Sequence, residues 1–183
     1  MRMFRLALTG TTLLIAAGAC ADGRGIADPA GTALTGRDEP SGLAAARKVQ
    51  ASGNFDALVD FSTLTLTPRG LNCLLQVNGQ LVFTGTIAGT ATGQTTALVS
   101  APCDDVAANP PGTFGDVFKS ELRFEGTVDG APANANVLYI GRVQPGGAIE
   151  ARLVFSNGVA GMLEVIGGRV AVGGDYSGSV VVH

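Results

Sequence analysis

The chain has 183 residues and a formal net charge of −3, with 15% charged residues, 27 glycines and no tryptophan. That is enough chain for one domain with a real core, and its composition is too apolar and too weakly charged for disorder. With 12 basic against 15 acidic residues and no basic stripe, the sequence does not suit a nucleic-acid partner.

The first segment is an export signal in outline. Arg2 and Arg5 precede the apolar run LALTGTTLLIAA, which is too short to span a bilayer comfortably. Ala17-Gly18-Ala19-Cys20 then follows. These first twenty residues resemble the N-terminus of bacterial lipoproteins, in which a Cys after small residues becomes the lipidated first residue of the mature chain. The pattern departs from the usual lipobox at Ala17, where Leu is common. Ala-Gly-Ala is also an acceptable site for ordinary signal cleavage, which would give a secreted, unlipidated protein. The resemblance implies a signal peptide over residues 1–19, a lipid on Cys20 and a membrane partner through that lipid. It also implies a place in the bacterial cell envelope, facing the periplasm or the exterior.

Residues 20–53 read as the lipidated Cys and a flexible tether. ADGRGIADPAGTALTGRDEPSG is small, polar and broken by Gly and Pro, and buries too little apolar surface to fold alone. A short helix beginning at Ser41 is expected within it, capped by that Ser.

From residue 54 to 183 the expectation is one all-β domain. Phe55, Ala57, Val59 and Phe61 share one parity, with Asp56 and Asp60 on the other. A switch near Ser62, as at a bulge, transfers the apolar set to Leu64 and Leu66. Leu71, Cys73, Leu75 and Val77 run into Asn78-Gly79, a strong two-residue hairpin signal. Strands are expected over about 81–90 and 95–101, then a long loop over 104–116. Further strands follow at about 117–128, 133–143, 148–156, 159–166 and 172–182. Their turns are Asp129-Gly130, Pro145-Gly146-Gly147, Asn157-Gly158 and the Gly167-Gly168 region. Eight or nine short-turn strands predict an antiparallel up-and-down β-barrel, whose closure removes its edges.

A motif recurs along these strands: FTGTI at 83–87, FEGTV at 124–128, YIGRV at 139–143 and YSGSV at 176–180. In each copy the aromatic, the Gly and the β-branched residue share one parity. Seven of the eight residues between them are polar, Ile140 being the exception. The barrel interior is therefore expected to hold Phe83, Gly85, Phe124, Gly126, Tyr139, Gly141, Tyr176 and Gly178. Large and small residues alternate to fill the taper of a small barrel. Lys119, Glu121, Arg123 and Glu125 take the opposite parity, as do Arg142, Glu150, Arg152 and Glu164. The predicted interior thus holds no charge, and a catalyst buried with a ligand is not expected. A membrane-embedded barrel would need apolar outward positions and aromatic girdles, and here those positions are Thr, Ser, Glu and Arg.

Three cysteines are an odd number for an exported chain. If Cys20 carries a lipid, Cys73 and Cys103 remain as one pair, either a disulfide in an oxidising envelope or two buried thiols. Closing that loop would contribute roughly 3 kcal/mol in the chain-entropy model. A hairpin at Asn78-Gly79 sets Cys73 opposite Thr84 and Cys103 near Val82, with one strand between the thiols. Their Cα atoms would then stand about 10 Å apart, beyond the roughly 7 Å reach of a disulfide, unless Pro102 bends the chain over the sheet.

Other chemistry is sparse. His183 is the only histidine and ends the chain; no transition-metal site, phosphate loop or nucleophile elbow is legible. Asp104-Asp105 with Asp116 could form a weak Ca²⁺ site, although solvated loop acids explain them as well. The glycine-punctuated strands and the segment GMLEVIGG…GGDYSGSV, Gly161 to Val180, resemble lipocalin-like and allene-oxide-cyclase-type barrels. That resemblance implies binding or isomerisation of apolar molecules inside a barrel and transfers no catalytic residue. Two functions are therefore expected to compete. One is an envelope-anchored barrel that binds a small apolar ligand or serves structurally. The other is a cofactor-free enzyme acting at the barrel mouth through Asp104, Asp105 or Asp129.

Overall fold

The structure is a computed structural model, and it describes residues 46–183. The expected signal peptide, the expected lipidation at Cys20 and the expected tether as far as residue 45 fall outside the described residues. The elements are β1 (Arg47–Arg69), β2 (Asn72–Gly85), β3 (Ile87–Val99), α1 (Cys103–Ala108), β4 (Asp116–Val128), β5 (Ala131–Val143), β6 (Ala148–Ser156), β7 (Val159–Arg169) and β8 (Gly173–Val182). The eight strands form a closed barrel in sequence order, sealed where Arg47–Asp56 of β1 pairs antiparallel with Gly173–Val182 of β8.

Period-two alternation drives the second half of the barrel. In β4, Ser120, Leu122, Phe124 and Val128 are buried, while Lys119, Glu121, Arg123 and Glu125 are exposed. Two tight turns use left-handed residues at both centres, Asp129 (φ 51°) with Gly130 (φ 77°) and Asn157 (φ 62°) with Gly158 (φ 95°). This matches the twist of the flanking strands.

The first third differs from the sequence expectation at three places. The barrel starts at Arg47, not at residue 54. Val49 and Ala51 continue the inward parity of Phe55 and are 6% and 2% exposed, so residues 47–53 are strand and not tether. Asn78-Gly79 is no hairpin: β2 runs straight through it, with Gly79 paired to Val59 on one side and Gly93 on the other. A Cβ on Gly79 would stand 2.7 Å from the Leu58 carbonyl oxygen. The glycine here allows a neighbouring strand to come close. Opposite it, β1 bulges between Asp60 and Thr65, where Asn78 N–H donates to Thr63 Oγ1 at 2.9 Å. The chain instead reverses at Gly70 (φ 64°) and after Gly85 (φ 109°). Three strands therefore replace the expected four, and the barrel has eight.

One half of the interior is filled. Phe83 touches four rings, those of Phe55, Phe124, Phe155 and Tyr176, with centroids 5.7–6.3 Å apart. Burying each such ring contributes about 1.5–3 kcal/mol. Tyr176 is 1% exposed, and its hydroxyl accepts from Ile87 N–H at 2.9 Å and donates toward the Thr84 and Ile87 carbonyls. It thereby ties β8 to the β2–β3 corner and satisfies a buried backbone donor. This closed end carries the β2–β3, β4–β5 and β6–β7 turns.

Candidate functional site

The four motif copies meet different ends. Phe83, Phe124, Tyr139 and Tyr176 are all buried, between 0% and 6% exposed. Gly126, Gly141 and Gly178 are partly buried beside them. Gly85 is exposed and closes β2. It is a corner residue and not an interior one, because the chain turns at Thr86 and Ile87 belongs to the next strand. Sequence periodicity could not show that reversal, since Phe83 and Ile87 keep one parity on either side of it.

Toward the other end, the mouth, the barrel is hollow. A cavity of about 340 Å³ is walled by Val59 of β1, Leu75 and Val77 of β2, Ala97 and Val99 of β3, Leu122 of β4, Val143 of β5 and Ile149 of β6. Phe118 and Tyr139, with ring centroids 4.9 Å apart at 69°, also line it. Thr95 and Ser120 also line it, and their hydroxyls bond one another at 2.7 Å, so both polar groups are satisfied.

Residues 100–115 cap the mouth. Cys73 and Cys103 form a disulfide with Cα atoms 4.8 Å apart. The wide separation expected from a hairpin at Asn78-Gly79 does not arise, because Cys73 pairs directly with Val99 at the end of β3. Cys103 follows just after Pro102, with no strand between. Around the bond, Val99 and Ala101 pack with Leu66, Leu75, Val106 and Phe114. Val106 and Ala107 of α1 and Pro110, Pro111 and Phe114 of the following loop face the cavity. Two backbone bonds fasten this lid, Gly146 N–H to Gly112 O at 2.8 Å and Ser100 N–H to Gly115 O at 2.9 Å, and a third, Val170 N–H to Gly147 O at 3.0 Å, joins the β7–β8 and β5–β6 connections beside it. On one side the wall is incomplete. The β1–β8 ladder ends at Asp56↔Gly173, followed by a single bond from Ala57 N–H to Val172 O. Beyond it Leu58, Phe61 and Leu64 of β1 and Arg169–Ala171 all line the cavity.

Asp116 corrects the expectation of an uncharged interior. It is the first residue of β4 and shares the parity of Phe118, Ser120, Leu122 and Phe124, so it faces the cavity and lines it. Its strand neighbours are Val99 and Val143. Its Oδ1 is buried without a hydrogen-bond partner among the described residues, and desolvation pushes its pKa up to about 6. The signal was present in the sequence: Asp116-x-Phe118-x-Ser120-x-Leu122-x-Phe124 is one continuous parity. The preceding PPGTFG, read as loop, hid the strand's first residue. Tyr139 also lines the cavity, and burial raises its phenol pKa, keeping it a neutral donor.

The other acids do not gather at the mouth. Asp129 lies at the closed end and pairs with Arg47. Asp104 and Asp105 occupy the first turn of α1, outside the cavity lining. Among the described residues no group of three or more His, Cys, Asp or Glu side chains could hold a metal ion. Asp104, Asp105 and Asp116 accordingly do not come together as a cluster of three carboxylates.

No protein-family model matches the sequence, and no curated protein matches it. Among solved structures, a protein of unknown function from the DUF3224 family of Shewanella oneidensis MR-1 is similar, at 15% sequence identity and a TM-score of 0.49, covering 75% of this chain and 98% of that chain.

Proposed function

We propose that the barrel is a binding module for one small, largely apolar molecule, held in the mouth cavity beneath the disulfide-fastened lid. The observation that carries this is the contrast inside one barrel. The closed half is packed ring against ring, while the mouth half keeps about 340 Å³, within the range of small-molecule pockets. Native mass spectrometry of the domain purified from its own host tests the reading: a bound small molecule, released on unfolding, is expected. An empty barrel that also takes up no apolar fluorophore would refute it.

The proposal extends to where the module works. Lipidation at Cys20 would hold it in the bacterial envelope on a tether. Intact mass of the membrane fraction decides this, since an unmodified Cys20 or cleavage elsewhere ends it.

Asp116 supports a second reading. A desolvated carboxyl in a cleft is a common sign of proton-transfer catalysis, so a cofactor-free enzyme is the competing class. Turnover needs a second acid, base or oxyanion donor within hydrogen-bond reach of the reacting atoms. The buried Asp116 Oδ1 has no hydrogen-bonding partner among the described residues, which favours recognition. Recovery of the bound molecule chemically unchanged after prolonged incubation distinguishes the two.

A further inference from the structure

From the cavity around Asp116 we infer that the ligand is an apolar organic cation, its ammonium group paired with the Asp116 carboxylate and its apolar body lying along the barrel wall. The inference rests on the cavity being a ligand site and adds the ligand's charge. Asp116 Oδ1 is fully buried and unbonded among the described residues, and no ion pair there includes this residue. A buried carboxylate without a partner is costly, and a cation within bonding distance removes that cost. The polar pair deeper in the same lining, Thr95 and Ser120, is already mutually bonded, so no side chain of that pair needs a ligand.

The remaining ionisable groups in the lining are few. Tyr139 is a neutral phenol, and it and Phe118 are aromatic members of the lining, a side-chain class to which a cation is attracted. Arg169 stands at the rim, exposed, where solvent and salt screen it. From β1, β2, β3, β6 and the lid no titratable side chain contributes to the lining. An anionic amphiphile such as a fatty acid therefore meets an unpaired carboxylate at the cavity wall and only one exposed guanidinium.

The cationic ligand would hold Asp116 ionised, whereas in the empty barrel its pKa stands near 6. Binding then weakens as pH falls through that value, because the carboxyl must lose a proton to pair. Three probes of matched shape test this by NMR titration of the intact domain: 2-phenylethylamine, 2-phenylethanol and 3-phenylpropanoate. At pH 7.5 the amine is expected to bind roughly ten- to hundred-fold more tightly than the alcohol, the range of a charge-assisted hydrogen bond, and the carboxylate most weakly. That advantage should shrink at pH 5 and vanish in Asp116→Asn, with alcohol binding retained. Equal affinity for amine and alcohol at pH 7.5 would overturn the cationic class and leave the cavity reading standing. Binding of none of the three would overturn both. Should Asp116→Asn fail to fold, the pH series on the unaltered chain decides, and an amine preference unchanged between pH 7.5 and pH 5 overturns the inference.

Discussion

At Asp116 the chain places a carboxylate where its strand neighbours are Val99 and Val143. Water is partly removed and nothing replaces it. Its pKa in the folded state is about 6, against an ordinary 3.8, so the folded protein holds this proton more tightly than the unfolded chain does. The stabilisation that results is fully present below about pH 3.8 and is lost as pH rises through about 6. Asp116→Asn removes the ionisation and keeps the shape. At pH 7.5 the variant should be more stable than the parent by on the order of 1 kcal/mol, a figure reduced for the side chain's partial exposure. At pH 4 the difference should be gone. Urea denaturation of both proteins at the two pH values measures it, and parallel pH profiles would show that the carboxyl is not strained by burial. Sequence parity alone could locate this residue once β4 was extended by one position. It could not reveal the missing partner, because that depends on what β3 and β5 bring alongside.

The elements differ in how plainly the sequence announces them. From β4 to β8 the expected and observed strands agree to within about three residues, because charged residues alternate with apolar ones and Asp-Gly or Asn-Gly sits at true turns. From β1 to β3 the alternation is less regular: β1 changes register at its bulge, and β3 is mostly Thr, Ala and Gly, whose small size blurs inside from outside. There Asn78-Gly79 mimics a hairpin while serving close strand approach. The same error displaced the expected disulfide geometry, since one false turn moves Cys73 from Val99 to Thr84. With the register corrected, the bond's role is to pin α1 and the loop after it over the mouth. The sequence separation of the two cysteines is 30, and in the chain-entropy model such a loop contributes about 3–4 kcal/mol. Replacing both with Ala should lower stability by about that amount, read from the shift in denaturation midpoint. The lid should also open before the barrel does. Hydrogen exchange then increases at Val106 and Ser100, whose amides bond Pro102 and Gly115, while Ile87, held by Tyr176, stays protected. Uniform loss of protection would instead make the bond a support of the whole barrel.

Across the whole molecule, one closed sheet supports two kinds of interior. The closed half places Phe55, Phe83, Phe124, Phe155 and Tyr176 on five different strands at one level, where rings fill the taper. The mouth half presents Val59, Val77, Ala97 and Val99 to the cavity, side chains smaller than the rings that fill the closed half. Smaller side chains accompany the hollow, and the strand pairing around it is also less regular, with register shifts in β1, β6 and β7. Two alanines on β3 expose the difference. Ala97 lines the cavity and lies between Leu75 and Phe118. Ala91 is 0% exposed and lies between Leu81 and Phe124 in the packed half. Ala97→Phe should fill empty space, leave stability within about 1 kcal/mol of the parent and abolish uptake of an apolar fluorophore. Ala91→Phe should overpack the core, costing about 1–3 kcal/mol or more, while the remaining folded fraction still binds the fluorophore. Denaturation midpoints and fluorophore titrations on both variants separate the two halves. If Ala97→Phe proved as destabilising as Ala91→Phe, the mouth would have to be packed as tightly as the closed end, and a ligand would have no room there.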